Sequence, residues 1–282
     1  MRVSEDCFNC LSKLVTQAAE MATTDIELQK IARDRALSIL KRKFKPGVIS
    51  IVLAAELHDA IKKATGNSDP YRKMKDLEIE MARQLSGSIK INYSENFENY
   101  LRLAALGNAI DFFRSIDEVK DEITKGMDSF NFAIDDSAHF KGKVQNSEWI
   151  LYLADNAGEV FFDLLLLKLM RRYARVTYVV KSAPVQNDIT LDDIKKAGLE
   201  SEIGEIMTTG TATPGIDFSR ASGEFNEAFR NADFIFAKGM GYYETLEELT
   251  PEGKIFHCLK AKCRPVADSL KVPLYSYVAM LR

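Results

Sequence analysis

Apolar positions repeat at helical spacing through the first 125 residues. In five segments they recur three and four residues apart, as they do along one face of an α-helix. These segments are residues 10–22, 26–44, 48–66, 69–85 and 96–113. Pro46-Gly47 and Gly66-Asn67 interrupt the pattern where turns are expected. The spacing predicts an all-helical N-terminal domain covering residues 1–125.

The pattern changes after about residue 146. Five short apolar runs of strand length follow, at residues 149–154, 176–180, 205–210, 233–237 and 254–259. Helical segments, such as residues 159–173 and 190–199, lie between most of them. Strands that alternate with helices are typical of βαβ units and a parallel sheet. The sequence therefore predicts an α/β fold, with a mostly parallel, doubly wound, Rossmann-like sheet in residues 126–282.

The loops that follow these strands carry small, polar or charged residues. In an open parallel sheet, ligands bind beyond the carboxyl ends of the strands, so these loops are expected to meet at one edge. They are "DNAGE" (155–159), "KSAPVQND" (181–188), "TGTATPG" (209–215), "KGMGYYE" (238–244) and "KAKC" (260–263). Five such loops at one edge predict a binding site.

Oxygen donors in these loops favour a hard cation. Asp155, Asn156 and Asp188 offer carboxylate and amide oxygens, which suit Mg²⁺ or Mn²⁺ better than zinc. These residues also precede helical segments, and capping a helix N-terminus is the alternative role. The residues alone leave both roles open.

Positive charge in the same loops suits a phosphate group. Four lysines would supply it: Lys181, Lys238, Lys260 and Lys262. Ala157-Gly158, opening a helix, and Gly239 with Gly241 would let backbone N–H groups approach an anion closely. A hard cation with lysines and backbone amides meets the main demand of phosphoryl transfer, which is charge stabilisation and alignment.

Composition and charge narrow the class of protein. The 282-residue chain is 46% hydrophobic and 28% charged, as in ordinary soluble proteins, and its net charge of −3 gives no reason to expect a nucleic-acid surface. The longest apolar run, residues 160–170, is interrupted by Asp163 and Lys168 and is too short to cross a bilayer. We therefore expect a cytoplasmic protein that binds neither nucleic acid nor membranes.

Several catalytic templates do not occur in the sequence. It contains no G-x-x-x-x-G-K-[ST] phosphate loop, no G-x-S-x-G nucleophile elbow and no G-x-G-x-x-G after the first predicted strand. His58, His139 and His257 fall outside the strand-end loops, which argues against a histidine-based zinc hydrolase. A haloacid-dehalogenase-type scheme needs a second acid two residues after the first, where this chain has Ala157.

Four cysteines form two close pairs near opposite ends of the chain, Cys7 with Cys10 and Cys258 with Cys263. In a reducing compartment, such pairs indicate metal or redox chemistry more than disulfides. Four sulfurs could hold zinc or an iron–sulfur cluster if the two ends of the chain meet. Burial as inert thiols is the alternative.

Seven motifs, taken in order along the chain, resemble those of the damage-control phosphatase family, an ARMT-like group also known as domain of unknown function 89. They are "CFNC", "DPYRKMK", "GNAIDF", "LADNAGEVFFD", "VKSAPVQNDIT", "AKGMGYYETL" and "LKAKC". The resemblance covers nearly the whole chain, and the CxxC motif and the length are similar to the small microbial branch. It implies a helical N-terminal domain, a Rossmann-like domain and phosphatase activity that depends on a divalent metal such as Mg²⁺, Mn²⁺, Co²⁺ or Ni²⁺.

The resemblance also implies roles for single residues. The family's metal ligands fall on Asp155, Asn156 and Asp188. Its substrate and phosphate groups, with the two glycines of the "KGMG" loop, fall on Asn108, Asp111, Glu159, Lys238, Gly239, Gly241, Glu244 and Lys260. Where longer branches carry Asn-Tyr-Arg after the "KG" motif, this chain has "GYYE". Their substrates therefore do not carry over directly.

Together these features predict a divalent-metal-dependent phosphatase that hydrolyses a small phosphorylated metabolite, either a sugar phosphate or a damaged phospho-metabolite. We assign catalytic roles to Asp155 and Asn156 at the metal, and to Lys238 and Lys260 as clamps on phosphate oxygens. Asp155 either attacks phosphorus or orients a water. Two alternatives stay open: a non-enzymatic protein that binds a phosphorylated ligand, and a metal-thiolate or redox protein that uses the cysteine pairs. The sequence does not identify the oligomeric state.

Overall fold

Amphipathic helices build the N-terminal half. The computed structural model describes residues 1–88, 96–109, 116–129, 131–249 and 253–282. Within these ranges, six helices precede the sheet: α1 (Glu5–Ala22), α2 (Ile26–Lys43), α3 (Ser50–Thr65), α4 (Arg72–Ser88), α5 (Phe97–Gly107) and α6 (Ile116–Ser129). Helix α6 continues past residue 125, the end predicted for the helical domain.

Helices α1–α3, with the start of α4, pack into a hydrophobic core of their own. Val15, Leu40 and Leu57 are almost completely buried in it. Local signals set the helix ends. Asp25 accepts hydrogen bonds from the first turn of α2, and Gly66 ends α3 with a φ of 70°, which favours glycine. The helical spacing of the sequence thus corresponds to the apolar faces that meet in this core.

Seven strands of the described chain form one mostly parallel sheet. They are β1 (Ile134–Asp135), β2 (Trp149–Leu153), β3 (Arg175–Val180), β4 (Ile206–Thr208), β5 (Phe234–Lys238), β6 (Ile255–Lys260) and β7 (Tyr277–Leu281). Their order is β1-β7-β6-β5-β2-β3-β4, and β6 and β7 are antiparallel. The predicted α/β fold is confirmed. The sequence pattern did not predict β1 and β7.

Helices cover both faces of the sheet. They are α7 (Ser137–Gln145), α8 (Val160–Met170), α9 (Leu191–Ala197), α10 (Glu200–Ile203), α11 (Gly223–Asn231), α12 (Gly239–Leu246) and α13 (Arg264–Leu270). Along β2, Ile150 and Tyr152 join the core that includes α5 and α8, whereas Leu151 and Leu153 join the core that includes α11 and α12. Burial on both faces explains why this strand reads as a continuous apolar run. Among the described residues, no helix is both long enough and apolar enough to span a membrane.

Strand β2 lies where the strand order reverses. The chain continues from β2 to β3 and β4 on one side, and then to β5 and β6 on the other. In doubly wound sheets, the crevice beyond the carboxyl end of the strands at such a point is the usual ligand site. Asp155 lies there, two residues after the end of β2.

A buried ion cluster joins α4 to the sheet domain. Lys75 Nζ lies 2.9 Å from Asp69 Oδ2 and 3.1 Å from Asp193 Oδ2, and Arg72 pairs with the other oxygen of Asp193 at 2.7 Å. Burial opposes ionisation of Asp193, but Lys75 and the hydrogen bonds from Thr190 together lower its pKa. The cluster explains three of the four charged residues of the "DPYRKMK" motif, Asp69, Arg72 and Lys75, which attach the helical layer to Asp193 in the segment that follows Asp188.

We expect Lys75→Met to lower the free energy of unfolding by about 3–5 kcal/mol, because it removes a buried partner of the Asp193 carboxylate. Lys73→Met, on the exposed side of the same helix, is the matched control and should leave the denaturation midpoint nearly unchanged. Urea denaturation followed by circular dichroism measures both. Equal effects of the two substitutions would contradict the stabilising role of the cluster.

Candidate active site

Two loops are joined by backbone pairing beyond the ends of β2 and β3. The Asp155 carbonyl oxygen accepts a hydrogen bond from the Ile189 N–H at 2.9 Å. Asn156 and Asp188 form an antiparallel bridge between the same loops. The pairing brings Asp155, Asn156 and Asp188 together at the carboxyl edge of the sheet.

These three residues line a cavity of about 260 Å³ between the sheet edge and the helical layer. From the helical side, α1 contributes Leu14 and Gln17, and α3 contributes Ile51. The end of α5 contributes Asn108, and the sheet side also contributes Gly241, Glu244 and Lys262. The cavity therefore lies at the interface between the two halves of the chain.

Carboxylate and amide oxygen atoms crowd one wall of the cavity. Asp188 Oδ2 is buried and has no hydrogen-bond partner within the described ranges, and Lys181 Nζ lies 3.5 Å away from it. Burial raises the pKa of Asp155 well above its ordinary value, and the negative charges of Glu159 and Asp188 raise it further. Burial also raises the pKa of Asp188 to about 6, against the opposing effect of Lys181. A divalent cation between these carboxylates would favour their ionised forms and fits the oxygen donors.

The third candidate ligand is an amide. No cluster of three or more His, Cys, Asp or Glu side chains arranged for a metal ion occurs in the described part of the chain, and this set has two carboxylates. Asn156 Nδ2 donates to Glu159 Oε1 at 2.8 Å and makes a longer contact of 3.4 Å with Asp155 Oδ2. Because its nitrogen is engaged, the amide oxygen is the atom that Asn156 offers to a cation.

A fully buried ion cluster supports Glu159. Lys238 Nζ lies 3.0 Å from Glu159 Oε2 and 2.8 Å from Asp163 Oδ1, and it donates to the Ala104 carbonyl oxygen at 2.5 Å. Burial opposes the charge of Lys238, but the two carboxylates raise its pKa above the ordinary value. Asn108 donates a further hydrogen bond to Glu159. Neither Lys238 nor Glu159 is on the cavity wall; both belong to the layer that holds Asn156 and Asn108.

The lysines at the end of β6 differ in where their charges lie. The ammonium group of Lys260 pairs with Glu122 of α6 and lies 5.1 Å from the centre of the Tyr277 ring. Lys260 is not among the residues that line the cavity, whereas Lys262 is. The sequence grouped Lys262 with the other lysines as positive charge for a phosphate, but it did not name Lys262 as a catalytic or substrate-binding residue. The sequence feature that could have identified Lys262 as a cavity residue is its position two residues after the end of β6.

Gly239 lets the Asp155 carboxylate approach the start of α12. Its φ of +76° lies in the region that favours glycine, and a Cβ there would overlap the Asp155 carboxylate. Gly241, two residues later, lines the cavity itself. In this structure, Gly239 thus makes room for the candidate metal ligand.

The remaining predicted substrate-binding residues lie on different elements. Asn108 caps α5, and Glu244 belongs to α12; both line the cavity. Glu244 accepts a hydrogen bond from Ser50 Oγ of α3 at 2.5 Å, and burial raises its pKa. Asp111 lies outside the described residues.

The four cysteines do not form one site. Cys258 is completely buried in the sheet core, whereas Cys7, Cys10 and Cys263 line a separate cavity of about 320 Å³. Side chains on a strand alternate between faces, and Cys258 faces the core side of β6. The four-cysteine metal site, one of the two alternatives that the sequence left open, is therefore not formed, and the described residues contain no cysteine cluster arranged for a metal ion.

The fold and the site define a class of protein. It is an α/β protein with an acidic cavity at the point where the strand order of a Rossmann-like sheet reverses. The chain belongs to the family described as damage-control phosphatase ARMT1-like domain, whose family model matches residues 3–278. The resemblance drawn from the sequence motifs is confirmed.

Similar proteins cover the whole length of the chain. Damage-control phosphatase PH1575 of Pyrococcus horikoshii is 37% identical over 284 residues, which are 99% of this chain and 98% of that protein. A damage-control phosphatase of Archaeoglobus fulgidus is 32% identical over 289 residues, 99% of each chain. The crystal structure of a DUF89 family protein from Pyrococcus horikoshii matches with a TM-score of 0.92 at 36% identity, covering 100% of this chain and 99% of that one.

We expect Gly239→Ala to lower the rate of phosphate release by about 100-fold, because the new Cβ displaces the Asp155 carboxylate. Gly66→Ala is the matched control: its φ of +70° is similar, but no atom lies within 4 Å of the added Cβ. A panel of phosphorylated metabolites, assayed for released phosphate, tests both variants. Unchanged turnover in folded Gly239→Ala protein would show that the position of Asp155 is unimportant.

Proposed function

We propose that the protein is a divalent-metal-dependent phosphatase that hydrolyses a small phosphorylated metabolite, such as a sugar phosphate or a damaged phospho-metabolite. The observation that carries the proposal is the cavity wall formed by Asp155, Asn156 and Asp188, where a buried carboxylate oxygen has no hydrogen-bond partner among the described residues. Membership of the family and the relatives named damage-control phosphatases support phosphatase activity.

Asp155, Asn156 and Asp188 would hold the cation, which is Mg²⁺, Mn²⁺, Co²⁺ or Ni²⁺. When bound, it supplies Lewis-acid stabilisation for the negative charge on the phosphoryl group. The two carboxylates together match its charge, and the amide oxygen of Asn156 adds a neutral ligand. Lys262, which lines the same cavity, is the lysine available to a phosphate oxygen.

Asp155 has two possible roles, attack on phosphorus or orientation of a water molecule. Both require the ionised carboxylate, which burial disfavours and a neighbouring cation favours. The helical layer over the cavity reduces contact with bulk water, and this strengthens every charge interaction inside. The small cavity volume of about 260 Å³ suits the phosphate end of a metabolite.

We propose that Lys238 is a positioning residue instead of a direct phosphate clamp. This role is supported by its contacts, because its ammonium group neutralises Glu159, and Glu159 holds the amide nitrogen of Asn156. The contact of Lys260 with Glu122 supports a similar reading, in which Lys260 holds α6 against the sheet edge. In this proposal, Lys262 is the lysine that contacts the phosphate directly.

Removal of metal with a chelator should abolish phosphate release, and Mg²⁺, Mn²⁺, Co²⁺ or Ni²⁺ should restore it. Asp188→Asn should weaken Mn²⁺ binding by at least about tenfold, because it removes a charged ligand. Asp192→Asn, exposed on α9, should bind Mn²⁺ as the wild type does. Calorimetric titration measures this binding without turnover.

Full activity in excess chelator would contradict metal dependence. Stabilisation of the metal-loaded protein by phosphorylated metabolites without any turnover would instead favour the non-enzymatic binding protein. Asp155→Asn should remove turnover under every metal condition.

Lys238→Met and Lys262→Met separate positioning from phosphate contact. Lys238→Met should lower both kcat and Mn²⁺ affinity, because Glu159 loses the charge that holds it in place. Lys262→Met should raise KM with little change in Mn²⁺ affinity. The double substitution Lys238→Gln with Asp163→Asn removes one charge of each sign and serves as a second test if Lys238→Met unfolds. A higher KM with normal Mn²⁺ affinity in Lys238 variants would refute the positioning role.

A further inference from the structure

Three cysteines meet on a cavity beside the active site. Cys7 and Cys10 lie in the first two turns of α1, and Cys263 is the N-cap of α13. All three line the cavity of about 320 Å³, which we call the thiol cavity. Leu11 and Ala54, both buried, provide apolar wall between them.

The thiol cavity adjoins the active-site cavity. Four residues line both of them: Leu14, Ile51, Gln186 and Glu244. The active-site cavity alone, at about 260 Å³, is smaller than the roughly 300–1,000 Å³ of typical small-molecule sites, and the two cavities together fall within that range. The thiol cavity is therefore a direct neighbour of the cavity that holds the candidate metal ligands.

Gln186 stands at the boundary of the two cavities in an uncommon backbone conformation. Its φ of 44° is rarely adopted by a residue other than glycine. It lies two residues before Asp188, on the loop that carries this candidate ligand. A substrate that extends from one cavity into the other has to pass Gln186.

Few hydrogen-bonding groups of the thiol cavity are available to a ligand. Ser50 and Glu244 are already bonded to each other. Asp6 and Arg264 are exposed to solvent, where water competes for them. A ligand with a row of hydroxyl groups would leave many of them without partners, and unpaired buried polar groups are costly.

The thiols themselves add apolar character. Burial raises the pKa of Cys10, and it raises the pKa of Cys263 to about 11, so both are neutral at pH 7. Cys263 is half-buried and Cys10 is exposed, and a neutral thiol that touches apolar neighbours behaves as a small hydrophobic group. The cysteines therefore make this wall more suitable for an apolar group of a ligand than for a charged group.

We propose that the thiol cavity receives the carbon part of the phosphorylated substrate, and that this part is apolar, an alkyl or aromatic group. Of the two substrate classes named in the proposed function, this excludes sugar phosphates, which are polyols. The inference rests on the proposed phosphatase function. The phosphate lies near Asp155 and Lys262, and the carbon part passes Leu14 and Ile51. Gln186 and Glu244, at the boundary, meet the atoms that join the phosphate to the apolar group and select among substrates.

Alkyl phosphates from ethyl to hexyl test the proposal by turnover, since they share one leaving-group chemistry and differ in apolar length. KM should fall roughly fourfold per added methylene until the chain fills the cavity. Alkylation with N-ethylmaleimide should abolish this dependence. The variant Cys7→Ser/Cys10→Ser/Cys263→Ser should keep its dependence on chain length after the same treatment. A KM independent of chain length overturns the proposal.

Alkylphosphonates, which are not hydrolysed, test the proposal by binding. With Mg²⁺ present, saturating hexylphosphonate should slow N-ethylmaleimide labelling of Cys7, Cys10 and Cys263 at least tenfold, as followed by peptide mass spectrometry. Methylphosphonate, which fills only the metal cavity, should slow it less than twofold. Buried Cys258 should stay unlabelled throughout and reports an intact fold.

The two measurements separate failure of this inference from failure of the proposed function. If alkyl phosphates are hydrolysed but the thiols are labelled equally fast with either phosphonate, the phosphatase function is supported and the apolar subsite is overturned. Protection by hexylphosphonate without turnover of any ester supports the subsite and overturns the phosphatase. Neither turnover nor protection overturns both.

Discussion

The candidate active site depends on one buried ammonium group, that of Lys238. Its three N–H donors meet the Ala104 carbonyl of α5, the Glu159 carboxylate after β2 and the Asp163 carboxylate of α8. A buried charge is tolerated when its partners are complete, and here each donor has one. Because Glu159 also holds the amide nitrogen of Asn156, this one cation fixes a candidate metal ligand and joins the helical half to the sheet.

Charge balance differs between the layer around Lys238 and the cavity above it. In the lower layer, one ammonium group contacts two carboxylates and a carbonyl oxygen, and these mutual contacts give rigidity. In the cavity wall, Asp155 and Asp188 crowd together, and an oxygen of Asp188 lacks a hydrogen-bond partner within the described ranges. Rigid support beneath two crowded carboxylates, of which Asp188 has only a 3.5 Å contact with Lys181, suits a site for a cation. Two lysines of the same sheet edge differ accordingly: Lys238 belongs to the buried cluster, whereas Lys262 lines the cavity.

In the proposed function, the helical layer contributes more to substrate selection than to chemistry. Its first three helices have their own core, whereas α4 and α5 pack apolar residues such as Ala82 and Leu106 into the core of the sheet. Polar links across this boundary include Lys75 with Asp193 and Ser50 with Glu244. Side chains of α1 and α3 close the active-site cavity and form most of the thiol cavity. Changes in this layer can therefore alter which carbon skeleton fits while Asp155 and its neighbours stay in place.

The sequence by itself determined the helical half, five of the seven strands in the described chain and the loops that meet at one edge. These follow from local periodicity and from the shared carboxyl edge of parallel strands. β1 has two residues and β7 joins as an antiparallel strand, so neither shows the βαβ pattern. Only the tertiary structure separated Lys238 from Lys262 and Cys258 from the other cysteines. How deeply a side chain is buried depends on contacts between residues far apart in sequence, and a local sequence pattern does not contain this information.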